Sequence, residues 1–257
     1  GPASRQATAD GLAAAAGLAP DRIAAGPFDI AVWQRPAVAP ELTVYVEGDG
    51  FAWVDRSRPS PDPTPRDPLA LRLAGLDPGA ATAVVARPCQ YRAAARRQPR
   101  CDDPAWWTTA RFAPEVVAAI DRAVEVLKRR AQARSLHLVG YSGGGAIAAL
   151  LAARRPDVAS LRTVAGNLDP ALVNRLHAVA PFDGEVSPRD VAARVAAIPQ
   201  IHFSGSRDAV VPVAVARSFA AAAGHPGCLR LLSVDADHHA GWAEQWAELV
   251  ALRPSCP

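Results

Sequence analysis

The sequence predicts an α/β protein in which a mostly parallel central sheet carries helices on both faces, the whole of residues 1–257 forming a single domain. Three observations predict it. From residue 81 onward, strand-like apolar runs alternate with helical patterns, the order that builds parallel sheets. Half of the residues are hydrophobic and 21% are charged, which supplies ample core. The stretch "LHLVGYSGGGAIAALLAARR" places a strand, a glycine-rich turn and a helix in direct succession.

The first 25 residues are Ala-rich and read as a peripheral helical segment. "FDIAVWQR" (28–35) alternates like a strand, and "ELTVYVEGDG" (41–50) reads as a buried strand ending in a glycine turn. A Pro-rich loop, "DRSRPSPDPTPRDP", leads to the short helix "LALRLAGL" and the strand "ATAVVA". The following "RPCQYRAAARRQPRCDDPAWWTTARF" is a long irregular excursion, a kind of segment that carries function or needs stapling. Residues 113–132 form the clearest helix: Pro114 and Glu115 open it, and Val116, Val117, Ile120, Val124 and Leu127 make its apolar stripe.

"SLHLVGY" then reads as strand, "GGAIAALLAARR" as helix and "ASLRTVAG" as strand. Residues 167–197 are mixed and form a small cap-like insertion, within which Ser187, Pro188 and Asp190 mark a helix start. "PQIHFSG" and "LRLLSVD" are strands, while "VAVARSFAAAAG" and "GWAEQWAELVAL" are helices.

Composition narrows the function classes. A formal net charge of +3, without a basic cluster interleaved with aromatics, points away from nucleic acid. No stretch approaches the ~18–20 apolar residues of a spanning helix, so no transmembrane segment is expected. The chain lacks Met and starts "GP", which reads as a tag-cleavage remnant. An export signal or lipid anchor upstream is compatible with that start. The four cysteines fall into two local pairs without metal-ligand spacing. Disulfides Cys89–Cys101 and Cys228–Cys256 are therefore expected, and with them an exported protein in the periplasm, secreted or lipid-anchored.

The chemistry centres on Gly140–Tyr141–Ser142–Gly143–Gly144, a G-x-S-x-G pattern between a strand and a helix. A serine there sits on a tight turn that closes only if the residues two before and two after lack Cβ. The backbone N–H of Gly143 is left free at the positive end of a helix, where developing negative charge is favoured. A phosphate-binding turn would instead want G-x-G-x-x-G or a following Lys, and neither is present.

A serine nucleophile needs a base steadied by a carboxylate. Asp208, in "SGSRDAVVP", follows a strand end and is the expected acid; Asp169, in "GNLDP", is its rival, with helix capping as its plainer role. "SVDADHHAGW" supplies the base as His238 or His239, of which His238 is preferred. His137, His177, His202 and His225 are read as structural. The turn Glu47–Gly48–Asp49–Gly50 offers a second oxyanion donor, the N–H of Asp49 ahead of that of Gly48. An acid aimed into that hole would repel the oxyanion, so Glu47 must turn away or meet an arginine such as Arg87.

On these residues the chain resembles the α/β-hydrolases over roughly 28–252. The "GYSGGG" turn and the "SRDAVVP" loop carry the superfamily likeness. "EGDG", "RPCQY", "WWTTARF" and the closing "DHHAGW" are similar to secreted or lipoprotein-type bacterial members. The resemblance implies Asp208 as acid and the histidine four before Trp242, His238, as base. It departs at Glu47, where a His often stands.

The expected function is ester hydrolysis through an acyl-serine intermediate, on a small-molecule or polymeric ester, without metal or cofactor. Acyl transfer, amide or peptide cleavage, or an inactive binding role are the alternatives. Phe51, Trp53 and Tyr141 are the expected substrate contacts, with Trp106, Trp107 and Arg111 also near the pocket.

Overall fold

In the computed structural model, which describes residues 1–182 and 184–257, the eight strands form one sheet. They are β1 (Ala19–Ala25), β2 (Phe28–Gln34), β3 (Glu41–Val46), β4 (Thr82–Val85), β5 (Ser135–Tyr141), β6 (Val158–Val164), β7 (Gln200–Gly205) and β8 (Leu229–Val234). Their spatial order is β1-β2-β4-β3-β5-β6-β7-β8. The β1–β2 and β2–β4 pairs are antiparallel and the other five are parallel.

The helices are α1 (Pro2–Ala15), α2 (Leu69–Leu76), α3 (Pro114–Ala131), α4 (Gly143–Arg154), α5 (Pro170–Leu176), α6 (Val213–Ala222) and α7 (Trp242–Val250). Because successive strand side chains point to opposite faces, the sheet feeds two cores. In β2, Phe28, Ile30 and Val32 join the core under α3, α4 and α6, while Ala31 and Trp33 join the one under α1, α2 and α7. The predicted apolar stripe of α3 is fully used: Val116, Val117, Ile120, Val124 and Leu127 are all buried.

The first 25 residues correct the expectation of a peripheral helix. The helix ends at Ala15, and 19–25 are an edge strand paired along its length with β2. With only Ile23 as a large apolar residue, this strand lacks the alternation that reveals strands; the pairing edge of β2 imposes it. Residues 167–197 contain α5 and a short 3₁₀ turn at Pro188–Val191, with Ser187 as its cap. Asp183 lies outside the described residues.

Cys89–Cys101 and Cys228–Cys256 are both disulfide-bonded. The first staples the irregular excursion, and the second ties the C-terminal tail to the start of β8. On a chain-entropy basis each contributes about 3 kcal/mol. Among the described residues no helix is long and apolar enough to cross a membrane.

Candidate active site

Four loops meet at the carboxyl ends of strands in the parallel part of the sheet, the edge where open α/β sheets bind ligands. They are the turn after β3 (Glu47–Gly50), the turn after β5 (Ser142), the loop after β7 (Asp208) and the loop after β8 (His238, His239).

Ser142 adopts φ 51°, ψ −120°, a region costly for a residue with a side chain and found where surrounding structure over-determines the backbone. The determinants are close approaches. A Cβ on Gly140 would overlap the carbonyl oxygen of Gly144, and one on Gly144 would overlap those of Val46 and Glu47. Strand β5, helix α4 and the end of β3 are thus in backbone contact, and the serine is what the turn presents.

Ser142 Oγ lies 3.0 Å from His238 Nε2, and His238 Nδ1 lies 2.9 Å from Asp208 Oδ2. The side chain of Asp208 is fully buried, and its other oxygen accepts the N–H groups of Val210 and Val211, both at 2.8 Å. A carboxylate only accepts, so the imidazole proton belongs on Nδ1 and Nε2 is left to accept from the serine hydroxyl. Tyr141 steadies this loop by donating its hydroxyl to the carbonyl of His238 at 2.9 Å.

The structure parts the two pairs of candidates that the sequence left open. His239 turns its Nε2 to Asp67, 2.7 Å away. Asp169 caps α5, accepting from Leu172 N at 3.1 Å and Ser218 Oγ at 2.6 Å. Of the remaining histidines, His202 is buried on Thr163 and Gln200, and burial pushes its imidazole down to about 3, so it stays neutral.

The acids of the Glu47–Gly50 turn part ways. Glu47 points away, its Oε1 accepting from Gly48 N at 3.0 Å and from Ala70 N, at the start of α2, at 3.4 Å. That engages the Gly48 N–H and leaves the N–H of Asp49, like that of Gly143, without a protein acceptor among the described residues. It is Asp49 rather than Glu47 that meets Arg87, at 3.0 Å, and it also meets Arg111 at 2.9 Å. Burial alone would raise the Asp49 carboxyl, but the two guanidiniums bring it below its ordinary value. Arg111 continues to Glu185 at 3.1 Å. The stapled excursion therefore supplies both cations that neutralise the turn, a connection without a local signature in the sequence.

Burial raises the Glu47 carboxyl from 4.5 to about 7, against the pull of its backbone donors. An acid with a higher pKa folded than unfolded holds its proton more tightly in the native state. Stability is thus lost as pH rises through the window from 4.5 to about 7. Glu47→Gln keeps an acceptor for Gly48 and cannot ionise. Its gain in Tm over wild type is expected to be larger at pH 8 than at pH 5 in paired thermal melts. Equal shifts at both values would show that Glu47 is not the titrating group.

The cleft over Ser142 measures about 520 Å³. Phe51, Trp53 and Tyr141 line it, together with Arg66, Asp67, Val210, His238 and His239. Trp106 and Trp107 do not line it: Trp106 packs edge-on against Phe28, and buried Trp107 donates its indole N–H to Ser60 O at 3.0 Å. Arg111 lines an adjoining cleft of about 450 Å³ with Asn174, His177 and Phe182 of the 167–197 insertion; none of these lines the cleft over Ser142. Sequence reasoning missed Arg66 and Asp67, which lie in the Pro-rich loop. The loop's proline density, which stiffens a chain, was the available signal. Among the described residues no cluster of His, Cys, Asp or Glu is arranged to hold a metal ion.

No protein-family model matches the sequence, and no curated protein sequence does. Solved structures do. An esterase of Pyrococcus furiosus superposes with a TM-score of 0.65 at 13% identity, covering 91% of this chain and 90% of the other. An α/β serine hydrolase homologue from Coxiella burnetii gives 0.59 at 16%, covering 90% and 92%. A bacterial membrane phospholipase A gives 0.56 at 18%, covering 97% and 89%. The chain has the α/β-hydrolase fold.

Proposed function

We propose, from an α/β-hydrolase fold that carries a serine in hydrogen-bond line with a histidine and an aspartate, that the protein is a serine hydrolase cleaving esters through an acyl-enzyme. The observation that carries this reading is the Ser142–His238–Asp208 chain, at 3.0 and 2.9 Å, on a turn that strains Ser142. A structural serine has no need of that strain.

Ser142 Oγ attacks the ester carbonyl while His238 Nε2 takes its proton. The carbonyl oxygen becomes an oxyanion, held by the N–H of Gly143 at the start of α4 and that of Asp49 in the turn after β3. His238 then gives the proton to the departing alkoxide, and the C–O bond to the alcohol breaks. Water enters and His238 removes its proton as the oxygen attacks the acyl carbon; the C–O bond to Ser142 then breaks, His238 returns the proton to Ser142 Oγ, and the acid leaves. Asp208 keeps the imidazole in one tautomer and balances the imidazolium. The Arg87 and Arg111 pairs keep the Asp49 carboxylate from opposing the oxyanion. The esterase, serine hydrolase homologue and phospholipase that share the fold support hydrolysis. Two disulfides fit an exported protein.

The test is fluorophosphonate labelling with the adduct located by mass spectrometry, beside turnover of p-nitrophenyl esters from acetate to laurate. Labelling of Ser142 together with ester turnover is expected. A protein that neither labels nor turns over would discard the reading.

A further inference from the structure

The charges facing the Ser142 cleft are unevenly satisfied. Every acid lining it is engaged: Glu47 by the N–H groups of Gly48 and Ala70, Asp49 by Arg87 and Arg111, and Asp67 by Arg72 and His239. Asp208, behind His238, is engaged as well. The one arginine lining the cleft, Arg66, is exposed and has no carboxylate or carbonyl partner among the described residues.

Arg66 is nevertheless held in place. Its guanidinium carbon lies 4.0 Å from the centroid of the Phe51 ring. Phe51 is itself anchored by its backbone N–H on Pro63 O at 3.0 Å and lines the same cleft. A second guanidinium, that of Arg5 from α1, stands 5.6 Å from the same ring. Arg5 is fixed by Thr64 O at 2.6 Å and likewise has no acidic partner. Stacking on an aromatic face holds a guanidinium while leaving its in-plane donors directed outward, the geometry that receives a carboxylate or a phosphate. Two cations converge on one aromatic residue at the mouth of a cleft whose acids are all occupied.

We propose that Arg66, carried on Phe51 and supported by the charge of Arg5, receives an anionic group of the substrate, so that the preferred esters bear a carboxylate or phosphate. The proposal rests on the serine hydrolase reading and adds a substrate class to it. Arg66 is a specificity-determining residue that selects among esters; the chemistry at Ser142 is common to them.

The experiment compares kcat/KM for two pairs of esters that differ only by methylation of a carboxylate. Mono-p-nitrophenyl glutarate and its methyl ester place the charge on the acyl side. p-Acetoxybenzoate and its methyl ester place it on the alcohol side. The readout is the anionic-to-neutral ratio in wild type, Arg66→Gln, Arg66→Lys and Arg66→Glu. In one pair the ratio is expected to fall about five- to tenfold in Arg66→Gln, further in Arg66→Glu, and less in Arg66→Lys. The wild-type preference is also expected to shrink as salt is added, since the site is exposed. The pair that responds names the side of the ester that carries the anion.

Ratios that do not move between wild type, Arg66→Gln and Arg66→Glu in both pairs overturn this inference and leave the hydrolase reading standing. So does a wild type that labels with fluorophosphonate but turns over only neutral esters, or none of the four. A wild type that neither labels nor turns over any of them overturns the hydrolase reading, and this inference with it.

Discussion

Ser142→Ala and His238→Ala are each expected to lower kcat/KM on p-nitrophenyl esters by on the order of 10⁴-fold, whereas His239→Ala, one residue along, is expected to cost tenfold at most. The asymmetry comes from direction. His238 turns its ring inward between Ser142 and the fully buried Asp208, while His239 turns outward to Asp67 on the cleft rim. Removing either member of the inner pair removes proton transfer as a unit, so the double variant is expected to lose little more than each single one. Removing His239 breaks a half-exposed hydrogen bond to Asp67, for which solvent competes. Kinetics on the four variants check this, with circular dichroism to confirm folding. If His239→Ala proves the silent variant and His238→Ala the active one, the loop after β8 is read the wrong way round.

Gly144→Ala is expected to lower stability by about 3 kcal/mol, a drop in Tm of roughly 6–12 °C for a chain of this size, and to lower the turnover of p-nitrophenyl esters expected of the proposed hydrolase. A methyl at Gly144 would overlap the carbonyl oxygens of Val46 and Glu47, both backbone atoms at the end of β3. Backbone cannot rotate away as a side chain can, so α4 and β3 must separate. The displaced segment leads directly into the turn carrying the Asp49 N–H, and so stability and turnover fall together. Gly11→Ala is the contrasting substitution. Gly11 lies within α1 and an added Cβ there meets nothing within 4 Å. Helix propensity alone then favours Ala by about 1 kcal/mol. Thermal melts of the two variants beside wild type make the comparison. A Gly144→Ala protein with wild-type Tm and turnover would show that the turn has more room than its backbone contacts allow.

The sequence by itself determined the strands from β2 to β8 and the helices α2, α3, α4, α6 and α7, the turn on which Ser142 stands, and the pairing of the four cysteines; α5 lay unread in the mixed 167–197 segment. These are local properties. Period-two and 3.6-residue patterns lie within one element, a G-x-S-x-G turn is written in five consecutive residues, and each cysteine pairs with its nearer neighbour in the chain. Where the local signal was thin the reading slipped, as at 19–25, which are a strand only because β2 offers an edge to pair with.

Tertiary structure decided what depends on where loop side chains point. Adjacent His238 and His239 are equivalent in a sequence, and Asp169 and Asp208 both follow strands. Only the packing of four loops from four strands distinguishes them, sending His238 and Asp208 inward and giving His239 to Asp67 and Asp169 to a helix cap. The same holds for the charge balance at the Glu47–Gly50 turn. Its counter-ions Arg87 and Arg111 lie 38 and 62 residues further along. Arg66 reaches the cleft mouth because Phe51, fifteen positions earlier, holds it there. Such pairings follow from side-chain directions across loops, which no periodicity encodes; a charge finds its partner by distance in space, and the folded chain alone sets that distance.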